Sequence, residues 1–210
     1  MSTTTDELHS ADLHRAAFMP DLLVAALARH ADKPAVYLGD EVLTASQVAA
    51  QMSKYVQAFA SLGVSEHHPI AMLSKNRPEV LFAMGANMLT PCRSTSLHPM
   101  GSAADQAYVL EDAEIETLFF DPSAFEERAA ELRERVPGLK TLLSFGPSEV
   151  GIDLIALAET FEPKPLVAPD VDPEEISGFT YTGGTTGASK GVMQTYRSGA
   201  TLTQIQLAEW

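Results

Sequence analysis

The sequence predicts an α/β domain built on a doubly wound, mainly parallel sheet with helices on both faces. Two observations carry that expectation. From Ile70 to about Thr182, short apolar runs alternate with amphipathic stretches of ten or more residues, the rhythm of strand, crossover helix, strand. The chain has 210 residues, 45% of them hydrophobic and 20% charged, enough for one substantial core without staples.

The elements follow in order. Met1 to about Met19 is polar and aperiodic and reads as a flexible tail, leaving residues 20–210 as the folded part. Asp21–Ala31 is a short helix carrying Leu22, Leu23, Ala26 and Leu27. Ala35–Leu38 and Glu41–Leu43 flank Gly39-Asp40, which predicts a tight hairpin. Thr44 and Gln47 form a capping box, each able to satisfy an orphan N–H. The helix they open places Val48, Met52, Tyr55, Val56, Phe59 and Leu62 on one face, and Gly63 ends it. Ile70–Leu73 is a strand, and Pro78 suits the first turn of a helix to about Leu89. Cys92–Thr95 is extended. Ser102 and Asp105 cap a helix to about Asp112. Thr117–Phe120 is a strand, Ser123–Val136 a helix and Lys140–Phe145 a strand. Pro163, Pro165, Pro169 and Pro173 then mark a linker or surface crossing. Ile176–Thr182 returns to strand character, Val192–Gln194 is a short run, and Arg197–Trp210 is helical without a stop signal.

Composition narrows the function. Twenty-eight acidic against 14 basic residues give a formal charge of −14, which argues against nucleic acid as a partner. A local anion site survives such a field, because a few N–H groups and one Lys act at short range. Cys92 is the single cysteine; no intrachain disulfide can form, and its expected role is a small buried side chain. No basic start followed by an apolar run opens the chain, and the apolar stretch around Val80–Leu89 is too short to span a bilayer. The expected compartment is cytoplasmic, with room for peripheral membrane contact. His67-His68 sits beside Pro69 in a turn and reads as a solvated loop, since adjacent side chains rarely chelate one metal. No metal ligand is assigned. Nothing supports a hydrolase triad.

The informative stretch is Tyr181-Thr182-Gly183-Gly184-Thr185-Thr186-Gly187-Ala188-Ser189-Lys190-Gly191. Glycines let backbone approach a ligand, and successive N–H groups in such a turn form an anion-binding concavity. Threonine hydroxyls add donors, and Lys190 supplies a positive centre. This pattern suits an oligophosphate, and the loop from Gly183 to Ser189 is expected to be exposed and mobile without ligand. A Walker A loop does not fit, because Lys190 lies between Ser189 and Gly191 and lacks the following hydroxyl. A dinucleotide fingerprint fails as well.

The stretch resembles the phosphate loop of the adenylate-forming (AMP-binding) superfamily, aromatic-Thr-Ser-Gly-Thr-Thr-Gly-x-Pro-Lys-Gly. Gly183 replaces the usual Ser and Ser189 the usual Pro; the Gly-Gly form also occurs in long-chain fatty acyl-CoA ligases. Leu97-His98-Pro99, Tyr108-Val109-Leu110-Glu111-Asp112-Ala113 and Gly191-Val192-Met193 are similar to other family patterns, while Tyr196 stands where His is common. The resemblance implies the amino-terminal part of that family's large domain. It implies ATP-dependent activation of a carboxylic acid, a fatty acid on this branch, to an acyl-adenylate. Thioester formation with coenzyme A follows, with Mg²⁺ assisting. Thr182, Gly183, Gly184, Thr185, Thr186, Gly187, Ser189 and Lys190 would hold the ATP phosphates.

The family's adenine, magnesium, ribose and catalytic-Lys residues are expected beyond Trp210, so the chain alone is expected to be an inactive fragment. A naturally short nucleotide- or partner-binding module and a peptide-synthetase adenylation domain remain as alternatives. If a second subdomain is missing, the apolar face from Val48 to Leu62 and the terminal helix with Leu202, Ile205 and Leu207 should lack cover. Self-association or disorder of both helices would follow.

Overall fold

A computed structural model describes residues 17–183 and 189–209. The expected tail therefore falls largely outside the described residues, as do Gly184, Thr185, Thr186 and Gly187. The described chain begins earlier than the tail boundary implied: Phe18 is buried, and Met19 already heads the first helix.

Helix α1 (Met19–Arg29) leads to a separate two-stranded hairpin, β1 (Pro34–Leu38) and β2 (Glu41–Thr44), paired antiparallel. Gly39 takes φ +61° in its turn, a value that an L side chain adopts at a cost. Helix α2 (Ala45–Ser61) opens with the expected capping box: Gln47 N donates to Thr44 Oγ1 at 3.3 Å, and Thr44 N donates to Gln47 Oε1 at 2.8 Å.

The main sheet is built by β3 (Pro69–Leu73), β4 (Arg93–Ser96), β5 (Thr117–Phe120), β6 (Thr141–Ser144), β7 (Ile152–Asp153), β8 (Ile176–Thr182) and β9 (Lys190–Thr195). Its strand order is β7-β6-β5-β3-β4-β8-β9. All neighbours are parallel except β8 and β9, so the mainly parallel expectation holds. The crossovers are α3 (Pro78–Leu89), α4 (Ala103–Asp112) and α5 (Pro122–Arg135); α6 (Leu154–Ala158) follows β7 and α7 (Tyr196–Glu209) follows β9.

Alternation along the strands makes two cores. Ile70, Phe119 and Leu143 point to the face covered by α2, α3 and α6. Ala71, Leu73, Leu118, Phe120 and Leu142 point to the face covered by α4 and α5. Because successive strand side chains point to opposite faces, a fully buried strand such as β5 needs helices on both sides.

The face of α2 is not left uncovered, which corrects one expectation. Val48, Met52, Tyr55 and Phe59 are buried, and Val56 and Leu62 pack against the same core. The cover comes from within this segment. Leu154 and Ala158 of α6 join the cluster, and Phe161 and Leu166 of the proline linker pack on it. The linker is then tied down: Gln57 Nε2 donates to the Glu162 carbonyl at 2.7 Å, and Lys164 N donates to Ser53 Oγ at 2.7 Å. Lys54 also bridges Glu159 at 2.6 Å. In α7, by contrast, Leu202 and Ile205 are exposed as expected; the side chain of Leu207 lies outside the described residues. Among the described residues no helix is long and apolar enough to cross a membrane.

Candidate phosphate-binding site

Strand β8 runs parallel to β4, with Gly178 beside Ser94 and Phe179 beside Thr95. A Cβ on Gly178 would lie 2.3 Å from the Ser94 carbonyl oxygen, so this strand seats only because glycine stands there. Thr95 Oγ1 adds a 3.0 Å bond to the Phe179 carbonyl. The carboxyl end of β8 therefore emerges beside the carboxyl ends of β4 and β3. In open α/β sheets ligands bind at that edge.

From there the chain turns straight back. Thr182 and Lys190 are the last register pair of the antiparallel β8–β9 ladder, and Thr182 Oγ1 lies 3.4 Å from the Lys190 carbonyl oxygen. They are the two posts of a hairpin whose tip is the glycine–threonine loop. Thr182, Gly183 and Lys190 are exposed and Ser189 is half-buried. Of the eight sequence-predicted site residues these four are described, and the fold brings them together at one strand end. The expected exposure of the loop between them falls outside the described residues.

The neighbouring turn is braced. His98, two residues beyond β4, accepts from Met100 N at Nδ1, 3.1 Å away, and its carbonyl accepts from Gln106 Nε2 at 2.8 Å. Gln106 is itself buried and accepts from Arg128 Nη1 at 2.7 Å. The Leu97-His98-Pro99 stretch is thus fixed at the carboxyl end of β4.

Two contacts of β8 were not visible in the sequence. Tyr181 Oη donates to Asp112 Oδ2 at 2.6 Å, and the Arg93 guanidinium stacks over the Phe179 ring at 5.4 Å. The Tyr108–Ala113 stretch signalled its family pattern but not its partner strand.

The remaining candidates resolve individually. Cys92 is buried, and burial pushes its thiol up to about 12, so it is an unreactive core side chain. His68 departs from the solvated-loop expectation: it is half-buried, its Nε2 lies 2.8 Å from Thr117 Oγ1, and burial lowers its pKa from the ordinary 6.5. His67 is exposed with φ +64° and pairs with Glu175 through Nδ1, while Glu66 lies 3.7 Å from Nε2. The two carboxylates lie beside opposite ring nitrogens, an arrangement that does not converge on one shared cation.

The model for the AMP-binding enzyme family matches residues 23–209. The chain belongs to that family. It is 50% identical over 195 residues to the medium/long-chain-fatty-acid–CoA ligase FadD8 of Mycobacterium tuberculosis, covering 90% of this chain and 34% of that protein. The fold superimposes on the anthranilate CoA ligase AuaEII in complex with anthranoyl-AMP, with TM-score 0.79 and 22% identity over 89% of this chain and 36% of that one. The amide bond synthetase McbA of Marinactinospora thermotolerans gives TM-score 0.69 at 28% identity, over 83% and 34%. The chain spans about a third of the length of these relatives.

Proposed function

We propose that this chain is the phosphate-binding part of an AMP-forming fatty acyl-CoA ligase. The observation that carries the reading is the β8–β9 hairpin, which stands Thr182 opposite Lys190 at the carboxyl edge of a parallel sheet. Half the residues identical to a fatty-acid–CoA ligase support the fatty acid as substrate class. They disfavour a peptide-synthetase domain or a non-catalytic module.

In the proposed reaction a carboxylate oxygen attacks the α-phosphorus of ATP, and the bond to the pyrophosphate leaving group breaks. The thiol of coenzyme A then attacks the acyl carbon and AMP departs. Thr182, Gly183, Gly184, Thr185, Thr186, Gly187 and Ser189 would donate hydrogen bonds to the β- and γ-phosphates, and Lys190 would offset their charge. That contribution is positioning and electrostatics rather than bond-making. The loop itself carries no carboxylate, so magnesium is assigned no ligand here, and neither is coenzyme A. By the same reading the chain alone does not complete the reaction.

The test is ATP–pyrophosphate exchange with a medium- or long-chain fatty acid, run on the complete protein of this reading frame and on the 210-residue chain. Exchange by the complete protein and none by the chain is expected. Lys190→Ala should lower kcat/KM at least tenfold, about 1.4 kcal/mol, with little change in melting temperature. Unchanged activity alongside a collapsed melting temperature would make Lys190 a structural residue.

A further inference from the structure

The end of α4 and the root of the phosphate loop are joined by a contact that packing alone does not require. Asp112 is the last residue of α4, and that last turn carries no basic residue. A carboxylate at a helix C-terminus faces the negative end of the macrodipole, an unfavourable place for it. What it gains there is Tyr181: the phenol donates to Oδ2 over 2.6 Å. The phenol is held as a donor, because burial, followed by the bond to Asp112 and its charge, raises the Tyr181 pKa above its ordinary value.

The ring is fixed as well as the hydroxyl. Tyr181 pairs across the ladder with Gly191, and a Cβ at that glycine would stand only 3.1 Å from the ring. Gly191 thus provides the floor on which the phenol lies. Two residues earlier on the same face of β8, Phe179 receives the Arg93 guanidinium, and Arg93 Nη2 also donates to the Ala113 carbonyl at 2.9 Å. Beside the C-terminus of α4, β8 is therefore held twice, at Phe179 through Arg93 of β4 and at Tyr181 through Asp112. The next residue after Tyr181 is Thr182, the first post of the hairpin.

We propose that Tyr181 and Asp112 form a strut that sets the position of the phosphate loop, making both positioning residues for ATP. The inference rests on the ligase reading, since only there does the loop hold phosphate. Neither side chain touches substrate. Tyr181 orients Thr182 through one peptide, and Asp112 orients Tyr181.

In the complete protein, Tyr181→Phe removes a single oxygen and keeps the ring over Gly191. The KM for ATP should rise about tenfold, as loss of a hydrogen bond to a charged acceptor implies. The KM for the fatty acid should stay within twofold, and the melting temperature should move little. Asp112→Ala should give the same ATP effect. The double variant should be no worse than either single one, because the two act through one bond. Amide exchange at Thr182 and Lys190, read without ATP, should be faster in Tyr181→Phe than in the unsubstituted protein.

An ATP KM unmoved by Tyr181→Phe in an otherwise active enzyme overturns the strut and leaves the ligase reading intact. Additive effects of the two substitutions overturn it too. An unsubstituted complete protein with no pyrophosphate exchange refutes the ligase reading instead. In that case the amide exchange still decides the strut: unchanged rates at Thr182 and Lys190 would sink it.

Discussion

Phe59→Ala tests whether this segment supplies its own cover for α2. Phe59 is fully buried, and its ring lies 5.2 Å from that of Phe119 on the interior strand β5. Phe119 in turn stacks on Phe145 at 6.3 Å, so truncating Phe59 opens a void at the contact between helix layer and sheet. Buried Phe→Ala substitutions cost about 3–5 kcal/mol, transfer and cavity together. With a urea m-value of about 2 kcal/mol per M, the unfolding midpoint of the 210-residue chain should fall by about 2 M. Ile205→Ala is the matched control. Ile205 is 57% exposed, and its loss should change stability by no more than about 0.5 kcal/mol. Both midpoints are read from far-UV circular dichroism and tyrosine fluorescence in the same titration. A Phe59→Ala shift below about 0.5 M would mean that the α2 face is loosely covered. The packing argument for an autonomous core would then fail.

Two further substitutions probe charge inside the fold. Asp121 is 4% exposed, accepts from Ser123 N at 3.1 Å to cap α5, and pairs with Arg77 Nη1 at 3.0 Å. Asp121→Ala should cost about 2–3 kcal/mol by urea unfolding. That is a lost cap plus part of a buried ion pair, since Arg77 keeps Glu79 at 2.8 Å; a cost under about 0.5 kcal/mol would show that neither contributes. His68 should make stability depend on pH. Its folded pKa lies below the ordinary 6.5, so between those two values the unfolded chain binds the extra proton. Stability is then lost as pH falls below 6.5 and is unaffected well above it. Melting temperatures from pH 8 to pH 5 should show this loss in the native chain and a flatter profile in His68→Gln; parallel profiles would exclude His68 as the source.

What could be read from the sequence was what is written locally. The Thr44–Gln47 box, Pro78 at the head of α3 and the apolar run Thr117–Phe120 each declare themselves within a few residues, and each lies where the pattern put it. Strand β7 and helix α6 were missed because two and five residues are too short for either periodicity to register. Missing α6 had a consequence. Leu154 and Ala158 are part of the cover over α2, and without them the helix seemed to need a later subdomain. The glycine–threonine loop was legible because its chemistry is dense in one stretch. The Tyr181–Asp112 bond was not, since its partners are 69 residues apart, and only the sheet order brings α4 beside β8.

The sheet order also explains the composition of the loop. In a Walker A site the strand runs into a helix, and the helix N-terminus supplies part of the field that holds phosphate. Here β8 does not enter a helix. It reverses into β9 within seven residues, 183–189, and α7 begins only at Tyr196, after β9 has carried the chain back along the ladder to Thr195 beside Ile176. Strand β8 thus hands the chain to β9 rather than to a helix N-terminus. On the ligase reading, the donors must then come from the hairpin itself. Glycine N–H groups can converge in such a turn, threonine hydroxyls can add to them, and one cation at the post can offset charge. A chain of formal charge −14 gains nothing from its overall field in attracting ATP. On the ligase reading the attraction is local, and within a Debye length of about 8 Å Lys190 and the loop N–H groups would outweigh remote carboxylates. On that reading Thr182 and Lys190, the two described posts of the hairpin, belong to this local field, and Tyr181 holds the strand end on which Thr182 stands.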